Sequence, residues 1–474
     1  MTAGGGHRIH RNVFQARAWR LFAEIKRFNR EATEILRRAD AEKIKLGEFL
    51  DEKKFGAEFR ELYLLPMASA VWSCTLDAVK EFPAATHCFG DPKAELRAMA
   101  VIHDERFFLR ALTGADVGMG ESYMDGDWSS PDLVSVVRVA TRNLRNLDSG
   151  NALFSGLRKA AFRWQHRHRD NSEKGSRENI RAHYDLGNEF YRLFLDEQML
   201  YSAAYFQNDE ETLEQAQKNK MELICRKLKI EPGDRVLEIG CGWGGFAVHA
   251  SRNYGAHVTG VTISRAQYDM AMERVENAGV APGSVQILLE DYRRLRGRFD
   301  KIVGIEMFEA VGLAHYDEFF GRCDHLLAPD GTMLLQTITM PDQELKGYRR
   351  RVDWIQTYIF PGSELAFLGK IQESLAKVTR MSLTDFESLG THYARTLSLW
   401  RERFFQRLAE MQGMRFDERF QRMWDFYMSW SEGAFRERYI NVVHLFMAKN
   451  GTSKRVIGDP ILSGGVLASG RGLP

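Results

Sequence analysis

The chain has 474 residues, of which 27% are charged and 44% hydrophobic, a balance typical of a folded enzyme and not of a disordered or membrane-embedded chain. The formal net charge is only +2, so attraction to nucleic acid or anionic lipid must come from local clusters, and no nucleic-acid partner is expected. The length favours two or three folded units.

The five cysteines are odd in number, scattered and without metal-ligand spacing, which argues against a disulfide framework or a metal site. The N-terminus is basic but lacks the apolar core of a secretory signal, and no run of about 18 apolar residues occurs. We therefore expect a cytoplasmic protein with no membrane span.

The first third of the chain divides into three regions. Apolar residues recur at helical spacing from about 14 to 76, which predicts amphipathic helices. Between 87 and 147, short apolar runs alternate with glycines that resemble turn signals (Gly114, Gly118, Gly120 and Gly126), which predicts a small mixed α/β segment. The pattern of residues 151–176 predicts a basic amphipathic helix followed by a polar linker. That helix either packs on its own protein or contacts lipid, and both can hold.

From about residue 231 the pattern alternates between strands and helices. Strands are predicted at 234–240, 257–263, 284–290, 299–308 and 331–339, with helices at 244–254 and 264–279 between the first three. Such a succession predicts an α/β fold with a doubly wound, mostly parallel sheet.

A glycine-rich turn, Gly240-Cys-Gly-Trp-Gly244, follows the first of these strands and opens a helix. Glycine lets a ligand approach the backbone there, but dinucleotide enzymes use similar turns. Glu238 distinguishes them, because a carboxylate suits the cationic amino or sulfonium group of S-adenosylmethionine and would repel a pyrophosphate. A tight turn without a ligand is the alternative, and we interpret Cys241 as a packing residue.

Several stretches resemble the cyclopropane-fatty-acyl-phospholipid synthase family, which includes the mycolic acid methyltransferases. They include HYDLGNEFYRLFLDEQMLYSAAYF at 183–206, RVLEIGCGWGGFAVHA at 235–250, GVTISRAQ at 260–267, LLEDYR at 288–293, FDKIVGIEMFEAVG at 299–312 and DWIQTYIFPG at 353–362. The resemblance covers roughly 86–450. It implies a Rossmann-like class I methyltransferase fold.

Four units follow from the pattern and the resemblance together: a helical segment (1–85), a small N-terminal domain of the synthase type (86–150), the basic helix and linker (151–178), and the methyltransferase domain with acyl-binding insertions (179–474). Residues 27–84 also resemble part of the substrate half of flavin amine oxidases. Because no dinucleotide fingerprint occurs near this end, no flavin is expected. A homodimer and an oxidase-like partner are further predictions.

The resemblance assigns the residues that bind S-adenosylmethionine. Tyr201 and Ser202 would lie against the cofactor, and Asp291 near its adenine. The remaining contacts would line the methionine end (Gly240, Gly242 and Gly244) and the ribose (Thr262, Ser264 and Gln267).

The catalytic residues also come from the resemblance. An alkene is a weak nucleophile, so it must be held in a dry pocket that tolerates a carbocation, which aromatic faces and fixed carboxylates do. Glu309 and Tyr393 match that site. In ring-forming members a bicarbonate is thought to remove a methyl proton, held by these residues, by an isoleucine matching Ile338, and by a cysteine and a histidine.

The sequence departs from that pattern at the bicarbonate contacts. Ala203 replaces the cysteine and Gln336 the histidine, while Ala310 replaces the histidine that follows the site glutamate. Bicarbonate binding and ring closure are therefore the weakest predictions. On spacing alone, Glu309 could be a helix cap and Tyr393 a core aromatic, and Trp354, Tyr358 and Phe360 could line either the core or an acyl channel.

The predicted function is methyl transfer to the double bond of an unsaturated phospholipid acyl chain, giving a cyclopropane, at the inner face of the cell membrane. C-methylation giving a methyl-branched or methylene chain is the first alternative. An inactive lipid-binding or scaffold homologue and a small-molecule methyltransferase are the others.

Overall fold

The structure is a computed structural model that describes residues 20, 23–24, 27–28, 31, 45–64, 95–104, 106–143, 186–349, 352–413 and 416–449. The predicted basic helix and linker of 151–178 lie outside the described residues, as does most of the segment that resembles a flavin oxidase. The four predicted unit boundaries stay predictions.

Nine strands are described: β1 (Val101–Ile102), β2 (Trp128–Ser129), β3 (Arg235–Ile239), β4 (His257–Thr262), β5 (Val285–Leu289), β6 (Phe299–Ile305), β7 (Leu327–Thr339), β8 (Met381–Ser388) and β9 (Asn441–Lys449). The first two form an antiparallel pair. The other seven form one sheet in the order β5-β4-β3-β6-β7-β9-β8. The five strands β5, β4, β3, β6 and β7 run parallel to one another, and β9 is antiparallel to both its neighbours, β7 and β8.

The described α-helices are α1 (Leu46–Glu52), α2 (Ala57–Phe59), α3 (Arg106–Met124), α4 (Leu133–Arg142), α5 (Asn188–Arg192), α6 (Leu213–Leu228), α7 (Gly245–Tyr254), α8 (Arg265–Asn277), α9 (Tyr316–Leu326), α10 (Leu345–Tyr348), α11 (Trp354–Tyr358), α12 (Leu368–Val378), α13 (Gly390–Gln406), α14 (Leu408–Gly413) and α15 (Glu418–Arg436). Short turns of 3₁₀-helix occur at Tyr292–Arg294, Phe308–Ala310, Leu313–His315 and Asp342–Glu344, and Arg60–Leu64 forms a π-helix.

Both faces of the large sheet are covered, as a doubly wound fold requires. Along β3, Val236 belongs to a core with α6 and α7, whereas the next residue, Leu237, belongs to a core with α9 and α12. This alternation follows from the two-residue period of a strand. The predicted α/β fold with a mostly parallel sheet is confirmed.

The strand predicted at 299–308 was too long. Strand β6 ends at Ile305, and Glu306 adopts a left-handed backbone conformation with φ 49°. A left-handed residue cannot continue an extended strand, so the chain turns there and forms the 3₁₀ turn Phe308–Ala310. This early turn places two glutamates, Glu306 and Glu309, at the carboxyl end of the sheet.

The mixed α/β character predicted for 87–147 agrees with β1, β2, α3 and α4, but three of its glycines were misinterpreted. Gly114, Gly118 and Gly120 lie inside α3, and only Gly126 forms a turn, with φ 78°. A Cβ added at Gly120 would lie 2.3 Å from the Trp354 ring. Glycine at that position permits close packing and does not mark a turn.

An aromatic core joins α3 and α4 to the helices above the sheet. The buried Tyr123 hydroxyl donates a hydrogen bond to Asp425 of α15 at 2.5 Å, and Arg138 and Arg142 both pair with Glu437. The same core contains Ala203, Tyr393 and Trp400, and Tyr201 packs against it. These contacts hold in place the helices that cover the carboxyl ends of β3, β6 and β7, where the candidate site lies.

Candidate active site

The glycine turn after β3 has the backbone that the sequence predicts for a ligand cradle. Gly240, Gly242 and Gly244 have φ values of 78°, 51° and 81°, in the region that favours glycine. A Cβ on Gly240 would lie 2.7 Å from the Met307 Cβ, whereas a Cβ on Gly242 would meet nothing within 4 Å. The turn therefore packs closely against the β6 turn on one side and leaves open space on another, which fits a cofactor lying on its backbone.

Cys241 is buried at 4% exposure, and burial raises the pKa of its thiol well above the ordinary range. A thiol that stays protonated is a poor nucleophile. A Cβ on Gly260 of β4 would lie 2.9 Å from the Cys241 Cβ, so the residue packs against the next strand. This geometry supports the packing interpretation.

Glu238 lies at the end of β3, below the glycine turn. It is 3% exposed, and burial raises the pKa of its carboxyl well above the ordinary range, opposed by Lys220 and by the Ala247 backbone amide. Its Oε2 has no hydrogen-bond partner within the part of the chain that the structure describes. A ligand ammonium is a fitting partner for such an oxygen, so the donor set is compatible with S-adenosylmethionine.

The three residues assigned to the ribose lie together at the end of β4 and the start of α8. Thr262 donates to Gln267 Oε1 at 2.8 Å, and Ser264 caps α8 by accepting from the Gln267 backbone amide at 3.4 Å. All three are buried. The structure thus brings them together as predicted, though here they bond to one another, and their ribose contact stays a prediction.

Asp291 follows β5 and is 2% exposed. Its two carboxylate oxygens accept from the Arg293 guanidinium, each at 2.9 Å, and one also accepts from the Arg293 backbone amide. Asp291 therefore stabilises its own turn, and its place beside adenine stays a prediction.

Tyr201 and Ser202 follow Leu200, whose side chain lies 3.0 Å from a Cβ built on Gly245, directly after the glycine turn. The Tyr201 ring packs between Tyr191 and Trp400, with ring centroids 5.4 and 5.3 Å away, and its hydroxyl donates to Tyr427 at 3.2 Å. The Ser202 hydroxyl accepts from the Lys220 ammonium at 2.6 Å. Their neighbourhood is aromatic and dry, as a site for alkene alkylation requires.

Glu309 is held by strand β7. Its Oε1 accepts from the Ile338 backbone amide at 2.6 Å and from the Thr337 hydroxyl at 3.0 Å, while its enclosed Oε2 has no partner among the described residues. Burial, and secondarily the charge of Glu306, raises its pKa to about 7. Glu309 bonds to a neighbouring strand and does not cap its own helix, so the alternative of a helix cap is wrong.

Glu306 is a site residue that the sequence analysis missed. Its Oε1 accepts from the Ala203 backbone amide and from Gln336 Nε2, both at 2.8 Å, and the Tyr393 hydroxyl helps to lower the pKa of the carboxyl against the effect of burial. The available signal was its position at the end of a strand adjacent to the glycine-turn strand, three residues before Glu309. The position of Glu306 at a strand end was overlooked because the strand was predicted to continue to residue 308.

Lys220 was also missed. It lies on the buried face of α6 with Ala216 and Ile224, four residues away on either side, and is fully buried. Burial lowers its pKa to about 8, against the nearby carboxylates of Glu306, Asp196 and Glu238. A lysine at helical spacing within an apolar face is the signal that identifies such a residue.

Gln336 connects the site to the neighbouring antiparallel strand, β9. It is fully buried, donates to Glu306 and to the Ala203 carbonyl at 3.3 Å, and its Oε1 lies 2.9 Å from His444 Nε2. Register pairs Gln336 directly with His444 of β9. A buried histidine is thus present, but on a strand that the resemblance did not point to.

Tyr393 and its neighbours form the aromatic side of the site. Tyr393 is 5% exposed, and its ring lies 4.7 Å from Phe435 and 6.0 Å from Trp400. The Phe360 ring packs against Tyr201 and Tyr427, with ring centroids 6.2 and 5.7 Å away. Tyr393 therefore packs in the core, and its hydroxyl interacts electrostatically with the carboxyls of Glu306 and Glu309.

The structure separates the three aromatics whose role the sequence left open. Trp354 is 2% exposed and packs on Phe426 at 4.8 Å, which makes it a core residue. The Tyr358 hydroxyl donates to Glu121 of α3 at 2.8 Å. Phe360 is the one of the three whose ring contacts Tyr201, at a centroid distance of 6.2 Å.

Neither a metal centre nor a membrane span emerges from the described ranges. No group of three or more His, Cys, Asp or Glu side chains there could hold a metal ion. None of the helices in the same ranges has the length and apolar character needed to cross a bilayer.

Comparison with known proteins identifies the family. The model of the mycolic acid cyclopropane synthetase family matches residues 171–445. The tuberculostearic acid methyltransferase of Mycobacterium tuberculosis is 38% identical, over 71% of this chain and 79% of its own length. The cyclopropane-fatty-acyl-phospholipid synthase of Escherichia coli strain K12 is 39% identical, over 74% of this chain and 87% of its own.

Solved structures agree with the sequence relatives. A cyclopropane synthase from Mycobacterium tuberculosis has a TM-score of 0.54 and 34% identity, covering 58% of this chain and 98% of that one. A mycolic acid cyclopropane synthase in complex with SAH and CTAB has a TM-score of 0.53 and 34% identity, with the same two coverages. The chain therefore belongs to the mycolic acid cyclopropane synthetase family and is an S-adenosylmethionine-dependent methyltransferase of that type.

Proposed function

We propose that this protein transfers the methyl group of S-adenosylmethionine to the double bond of an unsaturated fatty acyl chain in a membrane phospholipid and forms a cyclopropane. The observation that carries this is Glu309, a carboxyl anchored by Ile338 and Thr337, with an enclosed unpartnered Oε2, in an aromatic site beside the glycine turn. The names of the relatives support the same substrate class.

The residue types suit this chemistry. The cofactor supplies an electrophilic methyl group when bound. Tyr201, Trp400 and Phe360 give faces that stabilise a cation without reacting as a free amine would, and the site excludes bulk water. The neighbouring carboxyls of Glu306 and Glu309 together place negative charge near the developing carbocation. A fixed charge in a dry site stabilises a transition state more than one in water.

We further infer the contacts to the cofactor. The backbone of Gly240, Gly242 and Gly244 would carry its methionine end, with the Glu238 Oε2 taking the ammonium. Tyr201 and Ser202 would close the opposite side. Thr262, Ser264 and Gln267 would exchange their mutual hydrogen bonds for the ribose hydroxyls, and Asp291 would shape the adenine end.

C-methylation without ring closure is the second candidate. Ala203 offers no side-chain donor where the family has a cysteine, and Gln336 is already bonded to Glu306 and His444. One relative is named a tuberculostearic acid methyltransferase. The third candidate, an inactive scaffold, has less support because the carboxyls, Tyr393 and the glycine turn are all in place, and a small-molecule methyltransferase leaves the acyl-lipid motifs unexplained.

Product analysis tests the proposal and its alternative together. The enzyme is incubated with S-adenosylmethionine and vesicles of a monounsaturated phospholipid, and the fatty acids are analysed by mass spectrometry before and after mild hydrogenation. A cyclopropane and a methylene chain share one mass, but only the ring resists hydrogenation. Uptake of hydrogen by all of the product selects C-methylation, and absence of any product contradicts methyl transfer to lipid.

We also infer peripheral binding to the inner face of the membrane through the basic stretch 151–176, where Arg158, Lys159 and Arg163 lie near Leu157 and Trp164 in the sequence. Co-sedimentation with anionic vesicles tests this. Replacing Arg158, Lys159 and Arg163 together by Glu should abolish binding, whereas unchanged binding contradicts it. The homodimer and the oxidase-like partner are proposals that light scattering and co-purification test.

A further inference from the structure

Two amide donors bond to the Glu306 carboxyl, which the family resemblance leaves without a role, and the Tyr393 hydroxyl interacts with it electrostatically. The two donors are the Ala203 backbone amide and the Gln336 amide, each 2.8 Å from Oε1. These three residues come from three separate elements: the segment before α6, strand β7 and helix α13. Because unrelated parts of the chain each contribute a polar group, the carboxyl lies in a built anion site.

The amide of Gln336 is fixed in the orientation that suits a carboxylate. His444 Nε2 lies 2.9 Å from Gln336 Oε1, and His444 is 1% exposed. An amide that donates from Nε2 to Glu306 must accept at Oε1, so His444 carries its proton on Nε2. Burial, with the charges of Lys227 and Lys220, lowers the pKa of His444, which keeps it a neutral donor.

The backbone at Glu306 is strained. Its φ of 49° is a left-handed conformation that costs a residue with a Cβ about 1 kcal/mol. The Glu306 amide donates to the Gln336 carbonyl at 2.8 Å, which holds the turn in place. Strained residues persist where the surrounding structure holds them, often at functional sites.

We propose that the Glu306 carboxylate is the proton acceptor of the reaction and occupies the place where bicarbonate acts in ring-forming relatives. The inference rests on the proposed function. The groups that surround Glu306 are those at the bicarbonate-contact positions: Gln336 in place of the histidine and Ala203 in place of the cysteine, which both bond to it, and Tyr393, which interacts with it electrostatically. A free anion would compete with the built-in carboxylate for the same donors.

The step balances without another reactant. The alkene electron pair forms a bond to the methyl carbon as the methyl–sulfur bond breaks, which leaves a carbocation on the neighbouring chain carbon. Glu306 takes one proton. The electrons of the broken C–H bond then close the ring when the proton comes from the new methyl group, or form a double bond when it comes from the chain. Glu306 returns the proton to water after product release.

Burial raises the pKa of Glu306. The Ala203 amide, Gln336, Lys220 and Tyr393 act in the opposite direction and lower it. Burial thus makes the carboxylate a stronger base than one in water, while Lys220 and the donors help keep it ionised. Glu309, whose pKa is raised partly by Glu306, would hold a proton while Glu306 is charged. Two close carboxylates resist simultaneous ionisation.

The test is Glu306→Gly, because glycine adopts a positive φ without strain and leaves a cavity of carboxylate size. In bicarbonate-free buffer, wild type should remain active and the variant should lose at least about 100-fold in turnover. Added bicarbonate should restore the variant at least about tenfold and leave wild type unchanged. Arg438→Gly, at an exposed residue with φ 53°, is the matched control for removing backbone strain.

A second readout does not depend on activity. Carbon-13 bicarbonate should bind to Glu306→Gly but not to wild type or Glu306→Gln by NMR, and all three should bind S-adenosylhomocysteine with similar affinity. A wild type that needs bicarbonate, or that binds it in the site, overturns the proposal, as does full activity of Glu306→Gly without bicarbonate. If no lipid is methylated at all, the proposed function fails, and the bicarbonate binding still decides whether Glu306 fills the anion site.

Discussion

The Lys220 ammonium lies 2.6 Å from the Ser202 hydroxyl, and both residues are buried beneath the site. Lys220 therefore joins helix α6 to the segment that the resemblance places against the cofactor. It also supplies positive charge near the carboxyls of Glu306 and Glu238.

Removing this charge should destabilise the protein. Lys220→Met leaves buried carboxylates without a countercharge, and we expect a loss of about 3 kcal/mol in the free energy of unfolding, measured with urea. Lys218→Met, at an exposed position on the same helix, is the control and should change stability by less than about 0.5 kcal/mol. Equal effects of the two substitutions would show that Lys220 is not a structural countercharge.

Glu309 should give stability a specific pH dependence. Its pKa is raised to about 7 by burial and Glu306, so the folded state keeps a proton that the unfolded chain loses near pH 4.5. The stabilisation is complete below about pH 4.5 and is lost as the pH rises through about 7. In Glu309→Gln this loss, about 3 kcal/mol at full effect, should disappear.

Urea unfolding of wild type and Glu309→Gln between pH 5 and pH 8 measures the difference. The variant should gain in relative stability as the pH rises. Glu273→Gln, on the exposed side of α8, should track wild type throughout. A constant difference between wild type and Glu309→Gln would mean that the carboxyl of Glu309 is charged at every pH tested.

The same substitution should separate turnover from binding. Because the Oε2 of Glu309 has no hydrogen-bond partner in the described chain, this oxygen is available to contact the reacting cation. Glu309→Gln should lower kcat by at least about 100-fold and leave the affinity for S-adenosylhomocysteine within about threefold. Parallel losses of both would identify Glu309 as a structural carboxylate.

Gly240 should not tolerate a side chain. In Gly240→Ala the new Cβ would lie 2.7 Å from Met307 at φ 78°, whereas in Gly283→Ala the φ is 77° and nothing lies within 4 Å. Both variants should lose about 1 to 2 kcal/mol from backbone strain. Gly240→Ala should also lose at least tenfold in cofactor affinity, by calorimetry. Similar cofactor affinity in the two variants would rule out a cofactor role for this turn.

Restoring the family contacts should shift the product towards the ring. Ala203→Cys with Gln336→His, made in the Glu306→Gly background, reopens the anion site and returns the two missing side chains. The fraction of product that resists hydrogenation should rise in the presence of bicarbonate. With Glu306 intact the same pair should have less effect, since the anion position is filled. An unchanged fraction in both backgrounds would remove these residues from product choice.

The sequence predicted the parts of the site that depend on local pattern. The turn from Gly240 to Gly244 and the helix predicted at 264–279 follow from residue types and their spacing, and both lie where predicted, the helix at Arg265–Asn277. Glu309 and Tyr393 required the family resemblance, because spacing alone favoured a cap and a core aromatic.

The parts that were missed depend on contacts between distant segments. Glu306 receives donors from residues 203 and 336, and His444 reaches Gln336 through the pairing of β7 with β9. No local period encodes those contacts. The glycines in α3 were misread for the same reason, since Gly120 is explained by Trp354, more than 200 residues later.

The most direct test of the central claim uses S-adenosylmethionine with a fully deuterated methyl group. It is incubated with the full-length enzyme and matched vesicles of monounsaturated or saturated phospholipid, and the acyl chains are analysed by mass spectrometry. Deuterium should enter only the monounsaturated chains, with two of the three deuterium atoms retained if the ring closes. Label in saturated chains or in the headgroup alone, or in neither lipid, would contradict methyl transfer to an acyl double bond.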